Sequence, residues 1–283
     1  MLALRRHLRL VLMLAAVLAA ATPAAVRAPG KLEARYSATL AGIPIGKGSW
    51  VVDITETKFM AAATGATSGL LRAFTGGQGT GSAHGTLHAG EPMTSIYAST
   101  IVTSKKSDDV RLTVANGVVT ESRLDPPLES EPDRVPITDE HRKGIIDPMT
   151  ASLIRAPGTG DALSSEVCQR TMAIFDGRLR YDLQFAFKRI DHVKADKGYA
   201  GPVVVCAVYF SPVAGYVPAR AAIRYVAKLR DMEVWLAPIA GTRVLVPFRM
   251  QGPTPIGRFV VEATQFVSAP ITTRASANGL KTQ

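Results

Sequence analysis

The strongest constraint on the fold is an alternation of period two that begins at Lys31. Leu32, Ala34, Tyr36, Ala38 and Leu40 fall on one side of an extended chain, with Glu33, Arg35, Ser37 and Thr39 on the other. Successive strand side chains point to opposite faces, so this spacing builds one apolar wall; on a helix it would scatter around the axis. Gly42, Pro44 and Gly46 supply a turn, and Trp50, Val52 and Ile54 resume the alternation, which predicts an opening β-hairpin. The pattern returns in Leu179, Tyr181, Leu183, Phe185 and Phe187, set among Arg178, Arg180, Asp182, Gln184 and Lys188. Asn116-Gly117 and Asp176-Gly177 each sit between strand-like runs, where tolerance of positive φ favours a two-residue turn. Residues 203–210 form a continuous apolar run, as expected of a strand covered on both faces. Further strands are predicted at 232–237, 242–250 and 258–266.

Helical signals are few. A short helix is expected at 68–74, stopped by Gly76 and Gly77. Asp147-Pro148 is a good helix start, with Asp as cap and Pro in the first turn, running to about Arg155. At 218–229, Ala219, Ala222, Ile223, Val226 and Leu229 share a stripe, with Arg220, Arg224 and Lys228 largely opposite. This reads as an amphipathic helix, although a strand from Ala222 fits the same residues. The segment 125–139 is rich in Pro, Asp and Glu, an exposed loop that could separate two lobes.

The first residues read as an export signal. Arg5, Arg6 and Arg9 precede an apolar stretch at 10–21, and alanines and a proline follow to Ala28. The apolar run is about twelve residues, too short for a hydrocarbon core of roughly 30 Å. No cysteine follows it, so a lipoprotein anchor is not expected. The expected organisation is a signal peptide at 1–28, cleaved within 21–28, a single β-rich periplasmic domain at 29–269, and a disordered tail at 270–283. The formal charge of +10 falls by four to +6 once Arg5, Arg6, Arg9 and Arg27 leave with the signal. That excess is spread along the chain. It suits a solvated surface or anionic lipid and is too diffuse to argue for nucleic acid.

Cys168 and Cys206 are the two cysteines, both in the exported part, where an oxidising compartment makes pairing the default. Neither belongs to a CxxC pair, so a structural disulfide is expected over a redox role.

The sequence resembles a family of bacterial envelope proteins, the domain of unknown function 3108. The resemblance rests on YSATLAGIPIG from Tyr36, DPMTASL from Asp147, FDGRLRYDL from Phe175, EVWLAP from Glu233 and VPFRM from Val246. It would cover about Leu32 to Val267 and implies a periplasmic β-rich protein without assigned activity. By looser analogy it is similar to the curved or spiral sheets of lipoprotein carriers and envelope-integrity proteins. Fold analogy of that kind names no ligand.

Catalytic signals are weak. GGQGTGSAHG from Gly76 lacks the GK[ST] ending of a phosphate loop, and a bulged strand explains it better. His84 and His88 share a face four residues apart, but only Glu91 lies close enough to join them, so no metal site is expected. Ser82 is not in a GxSxG elbow, and a triad drawing on His84, His141 or Asp176 has no support in spacing. Asp176 is accounted for by its turn.

The fold expected is all-β: one large antiparallel sheet, about ten to fourteen strands, curled into a half-barrel or spiral with one or two helices on its concave face. The wall of Leu179, Tyr181, Leu183, Phe185 and Phe187 is either core or, with Ile223 and Val226 of the helix, the lining of a cavity for an acyl chain or apolar peptide. The expected function is that of a non-enzymatic periplasmic factor for envelope integrity, binding a lipid-like, lipoprotein or cell-wall-associated ligand without cofactor or metal. A scaffold that binds protein partners through Arg220, Arg224 and Lys228 is the alternative, and an envelope hydrolase a weaker one. A monomer is favoured.

Overall fold

The computed structural model describes residues 29–68 and 76–271. The expected export signal, all but the first residue of the helix expected at 68–74, and the tail from 272 lie outside the described residues.

The first half is an antiparallel meander: β1 (Gly30–Leu40), β2 (Ile43–Ile54), β3 (Lys58–Thr67), β4 (Gln78–His88), β5 (Glu91–Val102), β6 (Ser107–Ala115) and β7 (Val118–Asp125). After a long connection come α1 (Pro148–Ala151), β8 (Ile154–Arg155), β9 (Arg170–Phe175), β10 (Arg180–Lys194), β11 (Lys197–Gly198) and β12 (Ala200–Ala214). The chain ends in α2 (Ala221–Lys228), β13 (Glu233–Pro238), β14 (Val244–Thr254) and β15 (Gly257–Pro270). All fifteen strands join one sheet, ordered β7-β6-β5-β4-β3-β2-β1-β15-β14-β13-β12-β10-β9, with β8 beside β14 and β11 parallel to β15. First and last strands pair along their length, from Gly30 opposite Pro270 to Leu40 opposite Phe259. The loop expected to separate two lobes lies between strands of this same sheet.

Alternation dictates the core. Leu32, Val52, Ala61, Ala83, Tyr97 and Leu112 stand directly opposite one another across six neighbouring strands, and all are buried. Directly opposed residues share a face, so this row defines the inner side. Phe248, Phe266 and Val246 from the other half pack into the same cluster.

The edge strands β7 and β9 are not hydrogen-bonded to each other, so the sheet is open. The gap is bridged by the β9–β10 turn. Gly177 has φ +97°, and a Cβ there would lie 2.7 Å from Val110 Cγ1 and 3.0 Å from Leu124 Cδ2. Only glycine combines that backbone with that approach. Arg178 then pairs with Asp108 at 3.0 Å and donates to the Pro126 carbonyl at 2.7 Å. The turn differs from the two-residue form expected: four residues, Asp176 to Leu179, connect the strands, and the Asp176 carboxylate accepts from the Arg178 and Leu179 N–H groups. Asn116-Gly117 does form its tight turn, with φ of 51° and 74°.

A second core lies across β12. Val203 and Val205 belong to the first cluster, Val204 and Cys206 to the second, so the strand is covered on both faces as its composition predicts. The segment bearing Ile154, Ala156, Val167 and Cys168 covers this side. The disulfide between Cys168 and Cys206, with Cα atoms 5.5 Å apart, fastens it to β12.

Both helices are shorter than expected. α1 makes a single turn, because the chain from Ile154 extends to pair with β14. α2 spans eight residues, has no fully buried side chain and packs against β12.

Candidate functional site

The inner face empties above the filled row. The next row runs Ala34, Trp50, Ala63, Gly81, Ser99 and Val110, and the one beyond runs Tyr36, Gly48, Gly65, Gly79, Ile101 and Asp108. Side chains that would otherwise fill the concavity are missing from β2, β3 and β4. What remains is a cavity of about 720 Å³, within the range of roughly 300–1,000 Å³ usual for small-molecule sites. Ile45, Met149, Pro247, Met250 and Val261 supply apolar walls from β2, α1, β14 and β15, and Ile101, 55 % exposed, marks the rim.

The floor is positioned by Asp147. This side chain is fully buried, yet it accepts hydrogen bonds from the Met149 N–H at 2.8 Å, the Thr150 N–H at 3.0 Å and the Thr94 hydroxyl. It therefore caps α1, ties it to β5 and places Met149 against the cavity, so the DPMTASL motif builds the floor. Burial raises the Asp147 carboxyl above the usual carboxylate range, more than these hydrogen bonds lower it. Burial likewise raises the phenols of Tyr36 and Tyr97. Tyr36 donates to the Pro247 carbonyl at 2.8 Å, clasping β1 to β14 beside the cavity.

Lys47 is the one charged residue among the described residues lining the cavity. Its partner across β1 is Ser37, one residue out of step with the inward Tyr36, so its Cβ points to the outer face. Trp50 is 7 % exposed, and its indole N–H has no acceptor among the described residues. That nitrogen is sealed within the wall, so the cavity offers mainly apolar contact together with hydroxyl-bearing Ser99 and Ser152, and no carboxylate lies among its described lining residues.

The aromatic wall read from the sequence lies elsewhere. Leu183 and Phe185 pack into the second core around the disulfide, and the Tyr181 ring meets Phe210 at 5.4 Å. Leu179 belongs to the turn, and Phe187 is 41 % exposed. None of these five lines the cavity. Ile223 and Val226 are half-buried against β12 and do not reach it either, so α2 plugs nothing. Arg220 pairs with Glu131, while Arg224 and Lys228 are exposed. Ser82 and His84 project from the outer face of β4, whereas the Asp176 turn packs against the inner face of β6 and β7, so these three do not converge. The sequence signal that marked the cavity was the glycine run of β4. Its composition predicts a bulged strand, and a bulge is present beside Gly85.

Comparison with known proteins adds the family. No curated protein matches the chain. Among solved structures, a β-barrel-like protein of domain of unknown function DUF1849 from Brucella abortus aligns with TM-score 0.47 and 10% identity, covering 86% of this chain and 98% of that one. The family described as Protein of unknown function (DUF3108) matches residues 35–264, which include all five motifs that carry the resemblance, and the chain belongs to that family.

Proposed function

We propose that the protein is a non-enzymatic, periplasmic factor that supports cell-envelope integrity by holding a lipid-like ligand in the cavity between β1–β5 and β14–β15. The observation that carries this reading is the cavity itself: about 720 Å³ of space faced mainly by glycine, alanine and apolar side chains, with Ser99 and Ser152 among them. The space opens to solvent past Ile101, so a ligand can enter it without unfolding the sheet. The export-signal pattern and the Cys168–Cys206 bridge support an oxidising compartment. The test is native mass spectrometry of protein purified from periplasm. An adduct that extracts into organic solvent is expected. A bare mass, with no uptake of labelled lipid by the purified protein, refutes the reading.

A scaffold role has one observation behind it, the exposed basic side chains of Arg224 and Lys228 on α2. Reversing both charges and comparing crosslinked partners decides it, since an unchanged set removes this surface from consideration.

A further inference from the structure

The two most exposed large apolar side chains among the described residues are Ile256, 72 % exposed, and Ile43, 61 % exposed. They sit at the β14–β15 and β1–β2 turns, and these turns touch: the Ala41 N–H donates to the Arg258 carbonyl at 2.9 Å. Turns favour Gly, Pro, Asn, Asp and Ser, so neither isoleucine serves its turn, and neither belongs to a core cluster.

Register fixes their place relative to the cavity. Met250, Val261 and Ala38 stand opposite one another in the cavity wall. Further along β1 and β15, Phe259, Leu40 and Ile43 stand opposite one another on the same inner face. The apolar lining therefore continues past the mouth onto the turns. Ile101, on the rim, precedes the β5–β6 turn at the same end of the sheet.

Charge distinguishes the two ends. Residues 40–47, 101–107 and 252–260 hold Lys47, Lys105, Lys106 and Arg258 and no Asp or Glu. All four cations are exposed, and none is in a salt bridge among the described residues. The turns at the opposite end, 55–57, 89–91 and 116–117, carry Glu56 and Glu91 and no large apolar side chain. Isoleucines that gain from an apolar medium, set among exposed cations, match an anionic lipid surface: the tips reach the acyl boundary while the cations meet the headgroups. The apolar groups project from turns rather than forming a flat patch, which suits a fluid layer that closes round each tip.

We propose that this end of the sheet docks on a leaflet of anionic phospholipid, with Ile43 and Ile256 inserted and Lys47, Lys105, Lys106 and Arg258 against the phosphates. Its purpose rests on the lipid-holding role proposed above, because docking sets the cavity mouth on the layer that supplies a lipid ligand. Ile43 and Ile256 themselves lie outside the cavity lining.

The experiment mixes protein purified from periplasm with vesicles of phosphatidylglycerol and phosphatidylethanolamine, or of phosphatidylcholine alone, and measures the fraction that sediments with them. Binding to the anionic vesicles is expected, with little to phosphatidylcholine and loss in high salt. Ile43→Ser with Ile256→Ser should weaken it by about tenfold or more, and Lys105→Glu with Lys106→Glu by a similar factor, both with unchanged thermal midpoints. A spin label on the lipid acyl chain should broaden the methyl NMR signals of Ile43 and Ile256 and leave those of Ile271, 37 % exposed at the opposite end, sharp. That measurement on the parent decides even if a variant fails to fold. Absence of vesicle binding, binding unchanged by the isoleucine pair, or broadening of Ile271 in place of the tips overturns the docking surface. Crosslinking of the tips to an envelope protein without vesicle binding also overturns it, in favour of a protein interface. The native mass separates the two readings: a lipid adduct without vesicle binding overturns docking alone. Docking by protein that neither carries nor takes up lipid upholds this surface and overturns the lipid-holding role.

Discussion

Replacing Asp147 tests how the floor of the cavity is held. In Asp147→Ala, the Met149 and Thr150 N–H groups lose their acceptor, and the buried Thr94 hydroxyl loses its own. Loss of a helix N-cap costs about 0.5–2 kcal/mol, and a buried polar group left unmet costs about 1–3 kcal/mol. Together with the small void, the expected loss is about 3–5 kcal/mol, a large share of the roughly 5–15 kcal/mol typical of a folded domain. Asp147→Asn keeps an acceptor for both N–H groups and removes the charge, so it should behave differently. Burial raises the Asp147 carboxyl in the folded state. The native state therefore holds this proton more tightly than the unfolded chain, and ionisation lowers stability as pH rises from the ordinary aspartate range through the raised folded value. The Asn variant lacks that loss. Its stability relative to the parent should improve from pH 4 towards neutrality, about 4 being the unperturbed aspartate value. Urea unfolding followed by tryptophan fluorescence at several pH values measures both variants. An Ala variant less than about 1 kcal/mol weaker than the parent would show that α1 is not held by this cap. An Asn variant that loses ground as pH rises would reverse the assigned direction.

The disulfide closes a separation of 38 residues, for which the loop-entropy model gives up to about 4 kcal/mol; Cys206→Ser should approach that loss in denaturant midpoints, and reductant should mimic it. Gly177→Ala forces a side chain into φ +97° and to 2.7 Å from Val110, so a loss above about 2 kcal/mol is expected by thermal melting, and a neutral result would contradict the packed turn. Glu233 is desolvated, which raises its carboxyl, but hydrogen bonds from Lys188 and Arg189 outweigh this and lower it overall. That stabilisation is present above the unfolded glutamate value and fades as pH falls through the folded one. Glu233→Gln should thus be less stable at neutral pH and converge with the parent in acid; a constant gap across the titration would rule out the charge as its origin.

Strand identity was legible wherever one face was buried and the other wet. In β1, the alternation from Leu32 names both the strand and its inner face. The Val203–Val205 run showed two-sided cover for the same reason, though not what lay on each side. α1 is shorter than its Asp-Pro start suggests, because that start sets where a helix begins while Ile154 and Arg155, just past DPMTASL, pair with β14. Leu183 and Phe185 take the first of the two roles their alternation allows, that of core. They look like a ligand wall, yet bulky apolar residues in a row are what fill a core, and they fill the second one. A cavity is written in the residues that fail to fill space. Gly48, Gly65 and Gly79 are far apart in sequence, and only the register of three strands makes them one surface.

The seam explains how such a void persists. A barrel closed by backbone hydrogen bonds has its width fixed by strand number and stagger, and a narrow one fills with side chains. Here β7 and β9 do not pair, and closure is left to the Asp176–Leu179 turn pressing on Val110 and Leu124, with Arg178 bound to Asp108. Asp108 belongs to the same inward row as Gly48, Gly65 and Gly79, so the closing contact and the empty stretch lie at one level of the sheet. One end of that row meets the inserted turn, and the other meets Tyr36, clasped to β14. Between these two props the sheet needs no filling side chains to keep its curvature. The glycines are tolerable because the turn and the tyrosine hold the wall from either end, and this arrangement leaves the space between them open.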